Sequence, residues 1–397
     1  MLAAARPKAT TDMDTLGDVL LVVLGIAIIV FVADAAIRTF VVPRGTVVFL
    51  TVLVFQVVRA LYMPFARPSL GYERRDRVMA TYAPAALLAL PTVSLILIFF
   101  AYSFIFMGLS PHVDFHEALV MSGSSLMTLG FDRPVDLPST FFAFSEAAIG
   151  LGLLALLIAY LPTIYNSFSR REVAVTDLSI RAGTPPTPYE WLVRAHRTGF
   201  LDDMDGFWEQ WMTWFTEVAE THTSYAALVF FRSPHPHRNW VTAAGAVLDT
   251  AAVRLACLDI PWTPAAPLCI RSGFVALREI AGFFGVDYDA DPAPDDPISI
   301  ARDEFDELYN DLAEAHLPLK ADREQAWRDF AGWRVNYDQV LHALAALVIA
   351  PYAPWISDRS PTRPARHYRM GRRRTAVARR SVTPPAGAAT LRTPPPR

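Results

Sequence analysis

Nearly all long apolar runs of this chain lie before Asn166, and they constrain its fold more than any other feature of the sequence. The runs cover residues 16–42, 46–62, 81–109 and 139–165. A helix rises about 1.5 Å per residue, so about 20 apolar residues cross the hydrocarbon core of a bilayer. Hydrophobic residues make up 53% of the chain, and the mean hydropathy is +0.27. We therefore predict an all-α integral membrane protein with four transmembrane helices.

The stretch EALVMSGSSLMTLGFD, residues 117–132, separates the third apolar run from the fourth. We predict a short helix over 115–127, whereas residues 128–132 (TLGFD) do not continue a helical pattern. Non-helical backbone is tolerated at membrane depth only where it is buried in protein or lines a water-filled path. Carbonyl oxygens in such a segment can replace the hydration shell of a cation. The pattern therefore predicts a re-entrant helix followed by a non-helical segment.

The net charge of −3 combines three unlike parts of the chain. Residues 1–171 are nearly neutral, residues 172–357 carry a net charge of −14, and residues 358–397 carry +10. We expect an acidic helical domain over 172–357 and a disordered Arg- and Pro-rich tail over 358–397. Residues 1–15 are expected to be disordered as well. Anionic lipid or the acidic domain would be the partner of the tail, and no nucleic acid is expected.

Basic residues predict the orientation of the chain in the membrane. Arginines cluster between the second and third apolar runs and directly after the fourth: Arg59, Arg67, Arg74, Arg75, Arg77, Arg170 and Arg171. Such clusters are typical of cytoplasmic loops. Counting two transmembrane helices within residues 16–66, we expect a multi-pass protein of the cell membrane with both termini in the cytoplasm. Residues 128–132 would then enter the membrane from outside.

Metal sites and enzyme active sites find little support in the sequence. The two cysteines, Cys257 and Cys269, show no partnering pattern and are expected to be buried free thiols. Most histidines are scattered, and no glycine-rich phosphate-binding loop follows a strand. We therefore expect neither an enzyme nor a resident cofactor.

Residues 78–171, and most clearly 81–171, resemble the pore module of tetrameric potassium channels. That module consists of an outer helix, a pore helix, a T-x-G-[YF]-G-D filter and an inner helix, here over 139–166. The matching residues are Ala118, Leu119, Ser122, Thr128, Gly130, Phe131, Asp132, Pro138, Phe144, Glu146, Ala147, Ile149 and Gly150. The resemblance covers about 90 of the 397 residues and stops before the acidic domain. It implies a homotetramer that conducts potassium passively.

The resemblance also implies a role for each residue of the filter. Thr128 would offer its hydroxyl and its carbonyl at the inner end. Leu129, Gly130 and Phe131 would offer carbonyls, with the Leu129 side chain packed behind the filter. Gly130 can take a positive φ because it has no Cβ. Four copies around one axis would supply enough oxygens to encircle an ion.

This chain departs from the family filter at two positions. The second glycine is missing, so that Asp132 follows Phe131 directly. Either that glycine is deleted, or Asp132 takes its place and contributes a ring of carboxylates at the mouth, helped by Asp114 and Asp136. Met127 stands where the family commonly has a second threonine. These departures leave two permeant ions open: potassium, or monovalent cations with little selectivity.

Support and gating of the filter have their own candidate residues. Glu146 either pairs with a hydroxyl of the pore helix, from Ser124 or Ser125, or lies at the membrane interface. Two glycines of the inner helix, Gly150 and Gly152, serve either as a hinge or as points of close helix packing. Pro162 is expected to splay the cytoplasmic end of the same helix.

The main rival interpretation is a membrane-anchored sensor or scaffold. In that case the helical domain over 172–357 would be the active part, and the segment over 128–132 would conduct nothing.

Overall fold

The computed structural model describes residues 12–40, 42, 48–110 and 112–359. All regular elements within these ranges are helices, which confirms the all-α prediction. The chain divides into two compact units. The first unit holds the residues up to Arg170 together with Ser224–Arg232, and the second holds Arg171–Thr223 and the residues from Ser233 onward.

Six α-helices begin in the first unit. They are α1 Asp12–Phe40, α2 Phe49–Tyr62, α3 Tyr72–Ala80, α4 Tyr82–Leu109, α5 Phe115–Leu126 and α6 Leu137–Ala182, and three 3-10 turns accompany them at Met63–Phe65, Pro68–Leu70 and Ala226–Phe230. Residues 12–15, expected to be disordered, lie within the range of α1, and residues 1–11 lie outside the described part of the chain. Helix α6 is longer than the expected inner helix, because residues 167–182 continue it.

Four helices in the described part of the chain are long and apolar enough to cross a membrane: Thr15–Phe40, Tyr72–Leu109, Leu137–Ala182 and Trp240–Cys257. The expected span at 46–62 is not among them. Its helix, α2, has 14 residues, which at 1.5 Å per residue gives only about 21 Å. The most apolar part of Trp240–Cys257 is 94% buried in the structure. Its apolar surface is therefore covered by protein.

Helices α1 and α4 run antiparallel in close contact. A Cβ on Gly25 would lie less than 3.0 Å from the carbonyl oxygen of Ala101, and one on Gly108 would meet the carbonyl oxygen of Asp18 in the same way. Small residues at such points let two backbones approach closely, which is how helices associate in lipid. The start of α1 therefore lies beside the end of α4.

Helix α2 is also antiparallel to α4. Leu50 packs with Leu90, whereas the Tyr62 hydroxyl at the other end of α2 donates a 3.5 Å hydrogen bond to the carbonyl oxygen of Thr81. Because both α1 and α2 oppose α4, they run in the same direction, whereas two successive membrane crossings within residues 16–66 would run in opposite directions.

Residues 224–232 return to the first unit and pack where α3, α4 and α6 meet. Phe230 contacts Tyr82 with ring centroids 5.7 Å apart, and Phe231 contacts Phe168 at 5.6 Å. Arg232 forms a buried ion pair with Asp76 of α3, the two side chains being 6% and 10% exposed. This return segment is thus fixed by aromatic contacts and by one buried charge pair.

Seven further helices form the second unit together with the end of α6: α7 Pro188–Arg197, α8 Asp205–Ser224, α9 Trp240–Cys257, α10 Ala265–Phe283, α11 Arg302–Glu314, α12 Arg323–Arg334 and α13 Asp338–Val348. Helix α9 is buried on all sides. Both cysteines are buried and free, as expected. Basic tail residues 360–397 lie outside the described part of the chain.

A buried ionic network holds the second unit together. The Arg334 guanidinium donates to Asp249 of α9 at 2.5 Å and to Asp338 at 2.7 Å. The Tyr337 hydroxyl donates to the same Asp249 oxygen at 2.9 Å. Although burial opposes it, a hydrogen bond with His342 and the charge of Arg334 hold the pKa of Asp338 below its usual range. The network joins α9, α12 and α13.

The buried pair between Arg232 and Asp76 makes a prediction for the return segment. Arg232→Met should lower the melting temperature of the purified protein in detergent by several degrees, because the Asp76 carboxylate is left buried without its cation. A combined Asp76→Leu and Arg232→Met variant should recover part of the loss, since no charge then stays buried. Differential scanning fluorimetry of the three proteins measures this. Equal melting temperatures for the single and double variants would contradict the prediction.

Candidate functional site

Helix α5 owes its start to a reciprocal cap. The Asp114 carboxylate accepts a hydrogen bond from the Glu117 amide at 2.8 Å, and the Glu117 carboxylate accepts one from the Asp114 amide at 3.3 Å. Such a capping box satisfies two amides that a helix leaves unpaired. The helix ends at Leu126, one residue earlier than expected.

The chain leaves the helical conformation over residues 128–132. Thr128 has φ 54° and Gly130 has φ 70°. Glycine adopts this left-handed region readily, whereas a β-branched residue such as threonine is strained there. Asp132 has no positive φ, so an L-residue fits its backbone without strain. The non-helical segment expected from the sequence is therefore present between α5 and α6.

One residue of α5, Ser124, holds most of this segment. Its carbonyl oxygen accepts hydrogen bonds from the amides of Leu129 at 2.8 Å and Gly130 at 3.4 Å. Its hydroxyl donates to the carbonyl oxygen of Asp132 at 2.8 Å and accepts from the Asp132 amide at 3.1 Å. Four backbone groups between residues 129 and 132 thus depend on Ser124. Ser125, the other expected support, contributes its carbonyl oxygen to the Thr128 amide at 3.0 Å.

Glu146 pairs with Ser122, and neither Ser124 nor Ser125 is its partner. The Ser122 hydroxyl lies 2.5 Å from Glu146 Oε1 and 2.9 Å from the carbonyl oxygen of Phe99. Glu146 is fully buried. The pairing ties α4, α5 and α6 together behind the segment.

The side chains of the segment point away from the rest of the chain. Leu129 was expected to pack behind the segment but is 64% exposed, and Phe131 is 68% exposed. Met127 is exposed as well. The backbone amides bonded to Ser124 turn the segment so that these apolar side chains find no cover within one chain. Exposed apolar patches of this kind are typical of surfaces that contact protein or lipid.

The carboxylates near the segment differ in what they do. Asp114 caps α5, and Asp136 accepts a hydrogen bond from the Ser139 amide at 3.3 Å and one from the Ser110 hydroxyl at 3.5 Å, near the start of α6. Asp132 is held by its backbone only, and no hydrogen bond of its carboxylate is seen among the described residues. It is therefore the carboxylate that can turn toward an ion.

The two glycines of α6 are not equivalent. A Cβ on Gly150 would lie 2.9 Å from both the carbonyl oxygen and a methyl group of Leu126, whereas a Cβ on Gly152 would meet nothing within 4 Å. Gly150 therefore serves close packing of α5 on α6. Pro162 lies inside α6, which continues as a helix on both sides of it.

Sequence reasoning missed the return segment 224–232, which packs at the end of the first unit opposite to residues 128–132. Besides the contacts already described, Tyr225 reaches Tyr160 of α6 with ring centroids 5.6 Å apart, and Phe231 reaches Tyr165 at 6.0 Å. The available signal was an apolar, aromatic run followed by an arginine, AALVFFR, inside the polar half of the chain.

Comparison of the chain with protein-family models, with curated proteins and with solved structures finds no match.

Substitution of Gly150 tests whether this glycine serves helix packing or acts as a hinge. Gly150→Ala should lower thermal stability in detergent, because the added methyl group collides with Leu126 at the end of α5. Overpacking of this kind typically costs about 1–3 kcal/mol. Gly152→Ala is the matched control and should leave the melting temperature unchanged or slightly raised, since alanine favours helix. Equal losses for the two variants would contradict a packing role.

Proposed function

We propose that this chain is the subunit of a cation channel in which four copies surround one conduction path. The observation that carries the proposal is the capped helix α5 followed by the non-helical segment 128–132, which Ser124 holds between two helices long enough to cross a membrane. Non-helical backbone at that depth needs protein or water around it. Its exposed apolar side chains favour protein, and further copies of the same chain are the simplest supply.

Passive conduction fits the chemistry of the segment. Backbone carbonyls carry no formal charge and can replace part of a cation's hydration shell, while a ring of Asp132 carboxylates at the mouth would raise the local cation concentration. Potassium is the first permeant ion that we propose, and a poorly selective monovalent pore is the second. Asp132 has no positive φ, so its backbone does not have the conformation that requires glycine. This favours deletion of the second filter glycine over its replacement by Asp132.

The helix directions change the topology that we propose. Because the start of α1 lies beside the end of α4, the beginning of the described chain shares a side with segment 128–132. The arginines of α3 lie at the opposite end of α4, where basic residues are typical of the cytoplasm. We therefore place the start of α1 on the extracellular side of a cell membrane. The C-terminal end of α6 is placed on the cytoplasmic side.

A membrane-anchored sensor or scaffold is the second candidate. The specific observation in its favour is the second unit, whose buried Arg334 network gives it a well-determined core of its own. In that case the exposed side chains at 127–131 would form a contact between copies of the chain, and no ion would pass.

Ion flux from liposomes tests the channel directly. Purified protein that runs as a tetramer by light scattering should release potassium from loaded liposomes far faster than empty liposomes do. Absence of flux from tetramers would favour the scaffold.

Asp132→Asn should lower cation conductance at low ionic strength and leave it nearly unchanged at 1 M salt, because screening removes the effect of an exposed charge ring.

Ser124 and Ser125 form a matched pair for testing selectivity. Ser124→Ala removes both side-chain bonds to the Asp132 backbone, each worth about 0.5–1.5 kcal/mol. It should shift the reversal potential in a potassium/sodium gradient toward that of a non-selective pore. No hydrogen bond of the Ser125 hydroxyl is seen in the described part of the chain, so Ser125→Ala should leave the reversal potential unchanged. If both variants behave alike, Ser124 does not hold the segment.

A further inference from the structure

A basic and apolar surface lies where α2 turns into α3. The two 3-10 turns Met63–Phe65 and Pro68–Leu70 bend the chain there. Gly71, with φ 73°, ends the bend directly before α3. We call residues 61–77 the basic elbow. Its exposed side chains include three large apolar ones, Leu61, Phe65 and Leu70, and three cationic ones, Arg67, Arg74 and Arg77, besides the acidic Glu73.

The elbow carries an excess of positive charge. Its carboxylate Asp76 is buried and already paired with Arg232, so Glu73 is the remaining acidic residue against Arg67, Arg74, Arg75 and Arg77. No ion pair of Arg67, Arg74 or Arg77 is found within the described residues. Such a group of cations is expected to attract an anion.

Arg75 adds a second observation. Its Nε is buried and has no hydrogen-bond partner within the described chain. Burial, and after it repulsion by the Arg232 guanidinium, disfavours the positive charge of this side chain. The ion pair between Arg232 and Asp76 leaves this second cation unneutralised. A phosphate oxygen accepts hydrogen bonds from guanidinium groups and would relieve the repulsion.

The apolar side chains decide which anion fits. Leu61, Phe65 and Leu70 are exposed beside the arginines, and a soluble phosphate compound would leave them in water. The elbow also lies at the start of α4, a helix apolar enough to cross a membrane; Tyr62 and Tyr82 contact each other there with ring centroids 5.9 Å apart. Apolar and cationic side chains combined at the end of a membrane helix are typical of segments that lie in the headgroup layer.

We propose that the basic elbow binds the headgroups of anionic phospholipids in the leaflet at this end of the first unit. The arginines contact the phosphates, and Leu61 and Phe65 insert at the acyl boundary. The proposal is independent of ion conduction and holds for a channel and for a scaffold alike.

Native mass spectrometry of the full-length protein in a neutral detergent tests this. The protein is mixed with equal amounts of phosphatidylglycerol and phosphatidylcholine, and the bound copies of each lipid are counted. Wild-type protein should prefer phosphatidylglycerol. A triple variant, Arg67→Gln, Arg74→Gln and Arg77→Gln, should lose that preference by roughly tenfold or more, since each arginine near an anionic surface contributes to binding.

Two control proteins separate charge from folding. Arg197→Gln, Arg271→Gln and Arg328→Gln together remove three exposed cations of the second unit and should leave the preference unchanged. Replacing Arg67, Arg74 and Arg77 by lysine keeps the charge and should retain most of the preference. An unchanged preference in the glutamine variant of the elbow, or an equal loss in the second-unit control, would overturn the proposal.

A competition experiment identifies the source of the phosphate. Millimolar glycerol phosphate should displace little phosphatidylglycerol, because it lacks acyl chains, and the double variant Leu61→Ser, Phe65→Ser should weaken lipid binding severalfold. Complete displacement by glycerol phosphate, with no effect of the serine variant, would show a soluble phosphate site instead and overturn the lipid assignment.

Discussion

Backbone groups that leave a helix lose their intrahelical hydrogen bonds and need other partners, and here Ser124 supplies them. Its carbonyl oxygen and hydroxyl take up three amides and one carbonyl of residues 129–132. Without these bonds each group would pay the cost of desolvation unaided. The non-helical segment, the direction of its side chains and the proposed conduction path all depend on this one residue.

Close packing of the helices fixes the position of α5 and therefore of Ser124. Gly25 and Gly108 bring α1 onto α4, and Gly150 brings α6 onto the end of α5. Lipid tails are as apolar as leucine, so helices in a membrane gain little from burying apolar area against each other, and they associate through tight packing and polar contacts. The contact between Ser122 and Glu146 is the polar counterpart of the glycine contacts. Together they fix the position at which the chain leaves α5.

Local patterns predicted the local structure well. The apolar run at 81–109 matches α4, and the small-residue stretch after Asp114 matches α5. Both could be predicted because helix caps and apolar runs depend only on residues that are close together in the sequence. Contacts between distant residues were beyond such patterns. The sequence does not show that α1 and α2 run in the same direction, that Arg232 returns to Asp76, or that Glu146 meets Ser122. Each of these depends on packing between segments that no short pattern relates.

Helix α9 shows that composition does not distinguish a membrane span from a helix buried in protein. Its composition alone satisfies the criteria for a membrane span, yet its most apolar part is 94% buried among the other helices of the second unit. A helix that is apolar all round can be surrounded either by lipid or by protein. Hydropathy measures only the need to avoid water, and tertiary packing decides which of the two surrounds it.

Thr128 carries a consequence for the evolution and engineering of this chain. A threonine in the left-handed region costs on the order of 1 kcal/mol or more, which glycine at the same place would avoid. Selection for stability alone would therefore favour glycine there. Natural chains are rarely at their stability optimum, so a strained residue can persist where a relaxed one is available. A screen for heat-resistant variants should accordingly find glycine among the replacements at this position.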